Sequence, residues 1–342
     1  MIVLYVILAL LVFGIMIFVH ELGHFIFARR FGVTVEEFAI GMGPKLISRK
    51  SPKTGIVYSL RAFPMGGFVS MVGEDEESED ENALCRKPAW QRLIIMVAGA
   101  AMNVLLGVIL MFTLVCSSPL ASATVDRFTS ENAVTYEQGL RAGDVIVRIN
   151  RTPIHIGNEL VYEIMQQGTE TAEVTVLRDG RELTLQIDFP TVEEEGLLFG
   201  VRDFYLSPAE KNVGSVLTHT FFRSTSTVKM IWESLVDLVS GKYGFKHISG
   251  PVGVTQAITE AAQTGVQNLI YLAAVICINL GIFNLLPIPA LDGGRSAFLL
   301  LEVIRRKPIS PKIEGYVHTA GMLLLLLFMV IVSFKDVFQL IF

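Results

Sequence analysis

The chain has 342 residues, and its composition differs from that of a soluble protein. Hydrophobic residues make up 51% of it, charged residues make up 18%, and the mean hydropathy is +0.53. Soluble domains carry roughly 25% charged residues, so the composition indicates an integral membrane protein. The net charge of -5 argues against binding to nucleic acid, which needs a basic surface. Three scattered cysteines are too few for a disulfide framework.

Four segments are long and apolar enough to cross a bilayer as helices. Residues 1–19, 93–116 and 269–290 contain no charged residue, and residues 315–334 contain none besides His318. We expect the first segment to be a retained helix and not a cleaved signal peptide. It lacks a basic start, and no small-residue cleavage site follows it.

Basic residues beside these segments predict the orientation, because cytoplasmic loops carry an excess of Lys and Arg. Arg29 and Arg30 follow the first segment, and five Lys or Arg residues follow the third, whereas bases are absent just after the second. The expected architecture is a polytopic α-helical membrane protein of four transmembrane helices, with a membrane-associated β-hairpin and an inserted extracytoplasmic α+β domain. The predicted segments are helix one (1–28), a cytoplasmic loop (29–92) with a hairpin (56–72), helix two (93–116), a domain (117–192), a linker with an amphipathic helix (193–268), helix three (269–292), a cytoplasmic loop (293–314) and helix four (315–342).

The hairpin is predicted from residues 56–72, which are rich in β-formers and interrupted by P-M-G-G. A small soluble hairpin is one interpretation. We favour a hairpin that dips into the membrane beside the active site.

The outer segment contains the marks of a small globular domain. Residues 144–150 alternate as a half-buried strand does, residues 157–167 fit a short helix, and Asp179-Gly180 predicts a hairpin turn. S-P-A-E at 207–210 has the form of a helix start. The amphipathic helix predicted after it either packs on the domain or lies on the outer membrane surface.

The sequence H-E-L-G-H, residues 20–24, ends the first apolar segment. Positions i and i+4 of a helix share one face, so His20 and His24 can bind one Zn²⁺. Glu21 then lies beside the metal and can take a proton from water. The alternative is a pair of interfacial histidines that hydrogen-bond to their neighbours.

A catalytic zinc site normally has three protein ligands, and Asp292 is the candidate for the third. It lies in N-L-L-P-I-P-A-L-D-G-G, residues 284–294, at the same predicted depth as the histidines. A helix-end anchor or the start of an Asp-Gly turn is the alternative. The two prolines interrupt the helix, and irregular backbone at membrane depth is tolerated where it lines a cavity.

These motifs resemble the site-2 protease family of intramembrane zinc metalloproteases, and within it the regulator-of-sigma-E protease (RseP) group. The resemblance extends over nearly the whole chain. G-L-R-A-G-D-V-I-V-R-I-N, residues 139–150, is similar to a PDZ domain of the bacterial protease type. One departure is that the best-known member carries two tandem PDZ domains, whereas this chain has room for one.

The resemblance implies a role for each matching residue. His20, His24 and Asp292 would be the zinc ligands, and Glu21 the catalytic base. Asn284 would bind the substrate backbone, although an interhelical hydrogen bond would also explain it. An unwound substrate would pair as a strand with the hairpin, through the residues Gly66, Gly67, Phe68, Val69 and Ser70.

The expected function is regulated proteolysis of single-pass membrane proteins in the bacterial inner membrane, after their outer part has been shortened. Anti-sigma-factor-like proteins and remnant signal peptides are the implied substrates, Zn²⁺ is the cofactor, and membrane lipid is a further partner. The alternative is a catalytically inactive scaffold that binds peptide termini through its PDZ domain. A transporter is disfavoured by the absence of an inverted repeat. Neither His318 nor Asn103 is assigned any chemistry, and Asn103 is interpreted as helix packing.

Overall fold

The computed structural model describes residues 2–74, 76, 78–194, 196–242, 244, 248–307 and 309–341. His247, Asp75 and Glu77 lie outside the described residues, and the last two belong to the acidic stretch E-D-E-E-S-E-D-E, residues 74–81. The chain divides into two compact units. One consists of Met1–Leu110 and Met230–Phe342, and the other of Met111–Lys229.

The helices and strands follow one another along the chain as α1 (Ile2–Arg30), β1 (Val35–Lys50), β2 (Val57–Met71), α2 (Ala89–Ser117), β3 (Ala121–Phe128), α3 (Val134–Glu137), β4 (Val145–Ile149), β5 (Thr152–Pro153), α4 (Gly157–Gln167), β6 (Ala172–Arg178), β7 (Arg181–Ile187), β8 (Thr191–Glu194), β9 (Leu197–Gly200), β10 (Phe204–Pro208), α5 (Val213–Val239), α6 (Pro251–Thr264), α7 (Val266–Leu285), α8 (Asp292–Arg305) and α9 (Pro311–Ile341).

Four helices in the described part of the chain are long and apolar enough to cross a membrane, which confirms the predicted number. Their apolar segments are Val6–Arg30, Ala89–Ser117, Val266–Leu285 and Lys312–Gln339. The third helix ends at Leu285, seven residues before the predicted end at 292. Pro287 and Pro289 lack the N–H groups that a continuing helix needs, so the chain leaves the helix there and α8 begins at Asp292.

The sheet between α1 and α2 differs from the predicted hairpin. Residues 57–71 form one strand, β2, and its partner is β1, so P-M-G-G is not the turn that joins the strands. Ile40 lies opposite both Leu60 and Gly67 in the register. Residues 35–40 therefore form the middle of the sheet, with residues 57–60 on one side and residues 67–71 on the other.

Glu37 ties the outer part of this sheet to its middle. Its carboxylate accepts hydrogen bonds from Lys45 Nζ (2.8 Å), Ser59 Oγ (2.6 Å) and Arg61 Nη2 (2.9 Å). Partial burial alone would raise the pKa of Glu37, but the three hydrogen bonds outweigh it and lower the pKa to about 2.

The second unit contains a sheet with the strand order β10-β3-β4-β6-β7, and β5 pairs with β4. The hairpin at Asp179-Gly180 is confirmed by the pairing of Arg178 with Arg181. The core of the unit is formed by buried aliphatic and aromatic side chains from the sheet and α4. Because β10 pairs with β3 and Phe204 is buried in this core, the sheet continues beyond residue 192, where the sequence places the domain end.

The amphipathic helix α5 begins later than predicted, because Pro208 belongs to β10 and the helix starts at Val213. Within the second unit, α5 contacts α4 and the residue pair just before it: Ser226 Oγ donates to Glu159 Oε1 at 3.2 Å, and the rings of Phe222 and His155 stack with centroids 3.9 Å apart. The opposite side of α5 carries an exposed apolar stripe at helical spacing, formed by Val213, Leu217, Phe221, Val228, Trp232 and Val236. One face of α5 thus packs on the domain, and the other has the composition of a membrane-surface helix.

The segment S-G-P-V-G, residues 249–253, is hydrogen-bonded to a carboxylate of α9. Asp336 Oδ2 accepts hydrogen bonds from the backbone N–H groups of Gly250 (2.8 Å) and Gly253 (2.9 Å). Lys335 Nζ donates to the carbonyl of Ile248. A carboxylate satisfies the free N–H groups at the start of a helix, so α9 caps α6.

Candidate metal centre

The two histidines of the H-E-L-G-H motif meet on one face of α1. Four residues of an α-helix bring side chains back to nearly the same side, and the two rings lie 4.8 Å apart at an angle of 77°. The Nε2 atoms of His20 and His24 are 3.2 Å apart. His24 is buried, whereas His20 keeps a partly accessible side chain.

Asp292 completes a cluster of three possible ligands. As the first residue of α8 it follows the two-proline segment, and its Oδ2 lies 3.1 Å from His20 Nε2 and 3.3 Å from His24 Nε2. Within the described residues this is the one group of His, Cys, Asp or Glu side chains close enough to hold a metal ion.

The spacing of the three atoms fits zinc. In a tetrahedral site with bonds of about 2.0–2.1 Å, two ligand atoms are separated by roughly 3.3 Å. The separations of 3.1, 3.2 and 3.3 Å match that value. Asp292 Oδ2 is also buried without a hydrogen-bond partner, so it is available to a metal. The donor set of two imidazoles and one carboxylate is one that zinc enzymes use.

The Nδ1 atoms of both histidines face away from the cluster, and each has a partner on α2. His24 Nδ1 lies 2.8 Å from the carbonyl oxygen of Ile95, and Nδ1 must therefore carry the proton. Asn103 Nδ2 lies 3.3 Å from His20 Nδ1, and Asn103 Oδ1 is buried without a partner. Rotation of the Asn103 amide by 180° exchanges its nitrogen and oxygen. Oδ1 of Asn103 can then accept a hydrogen bond from His20 Nδ1–H when His20 Nε2 binds the metal.

Gly99 allows α2 to approach the two histidines this closely. A Cβ atom at Gly99 would lie 2.3 Å from His24 Nε2 and 2.8 Å from His20 Nε2. The sequence analysis missed Gly99 and explained Asn103 by packing alone. The pattern that could have indicated them is G-x-x-x-N within an apolar helix, which places both residues on one face.

The sheet passes directly beside Glu21. A Cβ atom at Gly67 would lie 3.1 Å from Glu21 Cγ and 3.2 Å from Ile17 Cγ2, so β2 touches α1 at the motif. Gly66, Phe68, Val69 and Ser70 belong to the same strand. Asn284 is partly buried in the last turn of α7, eight residues before Asp292.

A cavity of about 930 Å³ lies among α8, α9 and the segment before α2. Ala290 contributes to its wall, but none of the three possible ligands does. The ion pairs Arg295–Glu74 and Arg92–Glu302 border it, the latter at 3.3 Å. Its wall therefore combines charged side chains with apolar ones such as Leu84 and Leu299.

Residues 8–328 match the profile of peptidase family M50. The chain belongs to this family. Family M50 is the site-2 protease family, so the protein is a zinc-dependent membrane protease.

The M50 protease has relatives that align over almost their whole length. One relative, from Clostridium acetobutylicum, is named as a zinc metalloprotease. The two proteins are 36% identical over 337 residues, and the alignment covers 97% of each chain. The regulator of sigma-W protease RasP of Bacillus subtilis is 31% identical over 415 residues, with 97% of this chain and 98% of the relative covered. The zinc metalloprotease RasP of Bacillus licheniformis is 30% identical over 415 residues, with the same coverage.

Proposed function

We propose that the protein hydrolyses single-pass membrane proteins inside the bacterial inner membrane, at a zinc ion held by His20, His24 and Asp292. The observation that carries this proposal is the convergence of the three ligand atoms within 3.3 Å of one another beside Glu21. Zinc supplies Lewis-acid activation of water and of the peptide carbonyl when it is bound.

Glu21 is the proposed catalytic base. It directly follows His20 in α1. Its carboxylate does not belong to the group of three ligand atoms, so it lies beside the cluster and not within it. In that place it accepts a proton from the attacking water and later donates it to the leaving amine. Gly67 leaves room for the methylene stem of the Glu21 side chain, because a Cβ atom there would lie 3.1 Å from Glu21 Cγ.

The strand formed by residues 67–71 is the proposed docking edge for substrate. One side of it pairs with residues 35–40, and it runs past Glu21. A transmembrane helix has to unwind before its peptide bonds are accessible, and strand addition satisfies the exposed N–H and C=O groups. Asn284, with an amide that both donates and accepts, would bind the same substrate backbone.

The sheet domain of the second unit is the proposed PDZ domain, on the extracytoplasmic side. G-L-R-A-G-D forms its tight loop: Asp144 Oδ2 accepts from the N–H of Arg141 at 2.8 Å, and Arg178 binds the same carboxylate through two nitrogens at 2.7 Å. The hydrogen bonds to Asp144 raise the pKa of Arg178 above its ordinary value. The domain would admit only substrates whose outer part has been shortened, such as anti-sigma-factor-like proteins or remnant signal peptides.

Replacement of Glu21 by Gln tests the proposal. We expect zinc content to stay at one ion per site and cleavage to fall at least about 100-fold, because the ligands remain while the base is lost. The assay uses the full-length protein in detergent with a test substrate of one transmembrane helix and a short outer segment. Elemental analysis gives the zinc content. Glu260→Gln, on the exposed side of α6, is the control and should cleave normally.

The same measurement separates the protease from the inactive scaffold. A scaffold would show no cleavage in the unaltered protein and no dependence on Glu21. Near-normal turnover by Glu21→Gln would contradict the assignment of the base.

A further inference from the structure

Six residues connect α7 to Asp292 at the start of α8, and one of them has an uncommon backbone conformation. Ala290 has a φ of 79°, where residues with a Cβ atom are rarely found, and it lies two residues before Asp292. Only a few L-amino acids adopt this region without help from their surroundings. Something must therefore hold Ala290 in place if the Asp292 carboxylate is to reach His20 and His24.

Helix α9 supplies two contacts to this segment. His318 Nδ1 lies 3.1 Å from the backbone nitrogen of Ala290 and accepts its hydrogen bond. One turn further along α9, a Cβ atom at Gly321 would lie 2.4 Å from Pro289 Cβ, so the helix and the segment touch directly. The His318 ring is itself held, with its centroid 5.8 Å from that of Phe298 in α8.

We propose that His318 is a positioning residue for Asp292. By accepting the N–H of Ala290, it stabilises the left-handed conformation that aims the following carboxylate at the two histidines. The proposal rests on the proposed function, because it takes Asp292 as the third zinc ligand. It concerns a histidine that the sequence analysis left without a role.

The test compares two substitutions of His318 in the full-length protein in detergent. His318→Asn keeps an acceptor near the position of Nδ1, whereas His318→Leu removes it. Zinc affinity is measured by competition with a chelating indicator, and the geometry by the visible absorption of the Co²⁺-loaded protein. We expect His318→Leu to bind zinc about tenfold more weakly, with a changed Co²⁺ spectrum, because tenfold is the lower end of the loss seen when a group that orients a metal ligand is removed. The zinc affinity of His318→Asn should stay within about twofold of that of the unaltered protein.

A second substitution separates positioning from general misfolding. Glycine adopts positive φ without steric cost, so Ala290→Gly should restore much of the zinc affinity in the His318→Leu background. A misfolded helix bundle would not be rescued by that change. Leu326→Ala, a change on an exposed side of the same helix, is the control and should retain the zinc affinity and the Co²⁺ spectrum.

Asp292→Asn, measured alongside, tells the two proposals apart. If it leaves zinc affinity unchanged, the ligand set of the proposed function is wrong. If it weakens zinc binding while His318→Leu does not, only the role of His318 is wrong. Equal losses in His318→Leu and His318→Asn would also overturn the proposal, because the acceptor would then not be the feature that matters.

Discussion

At the scale of single residues, the candidate metal centre is in contact with α2 as well as with the helix that carries the motif. Gly99 has no side chain, and both imidazoles occupy the space that a Cβ atom would take. We expect Gly99→Ala to weaken zinc binding roughly 100-fold, because the histidine rings must move. Alanine favours helix over glycine by about 1 kcal/mol, so a weaker helix cannot explain such a loss. Chelator competition measures the affinity.

Gly14→Ala in α1 is the matched control for this prediction, because nothing lies within 4 Å of its added Cβ atom. The two variants should differ in zinc affinity while their thermal unfolding stays similar. Normal zinc binding by Gly99→Ala would contradict the close approach of α2.

Asn103 offers a second prediction at this scale. Leucine has the same branched arrangement of four side-chain heavy atoms but cannot accept the proton of His20 Nδ1, so Asn103→Leu should lower zinc affinity about tenfold. Asn279→Leu is the control, because Asn279 is likewise an asparagine of an apolar helix, half-buried where Asn103 is buried, and lies outside the ligand cluster. If both variants bind zinc equally well, Asn103 contributes packing alone.

At the scale of elements, the sheet of β1 and β2 has two different edges. Residues 67–71 form the edge beside Glu21, and residues 45–50 form the opposite edge, paired with residues 57–61. Of these two edges, the first is the one that lies beside Glu21 and is therefore the proposed docking edge. Successive N–H groups of a strand point to alternate sides, so three consecutive proline substitutions cover both directions.

We expect proline at one or more of positions 68–70 to lower cleavage at least about tenfold while zinc occupancy stays normal, because a ladder donor is lost. Proline at positions 46–48 is the control and should leave cleavage unchanged. Gly67 is left out of the scan because any side chain there would push on Glu21. Equal cleavage by both sets of variants would count against strand addition.

At the scale of the whole molecule, the inserted domain can be removed with little disturbance of its ends. The N–H of Ala209 donates to the carbonyl of Leu120 at 2.9 Å, so the two ends of the sheet domain are adjacent. Lys211 Nζ donates to the carbonyls of Cys116 and Ser118 at the end of α2, which fixes the chain just after the domain.

Replacing residues 121–208 by a short Gly-Ser linker should allow cleavage of full-length, unshortened substrates that the intact protein leaves alone. The reason is that a gate would be lost while the proposed metal ligands remain. Gel analysis of substrate fragments measures the effect, and the same deletion with Glu21→Gln should cut nothing. If the deletion abolishes cleavage of every substrate at normal zinc content, the domain delivers substrate and does not exclude it.

The sequence by itself determined the features that depend on local patterns. Uncharged segments of membrane length predicted the four apolar helices, because apolar composition and length decide whether a helix can cross a bilayer. The spacing of His20 and His24 predicted their meeting on one face, because helix geometry fixes the neighbours at i and i+4.

Only the tertiary structure decided the contacts between segments distant in the chain. It brought Asp292 within 3.3 Å of both histidines, paired β2 with β1, and set Gly99 and Asn103 against the rings. Which strand or helix face meets which partner depends on the packing of the whole bundle, and no local period encodes it. The same holds for His318, whose acceptor meets Ala290 across 28 residues of sequence.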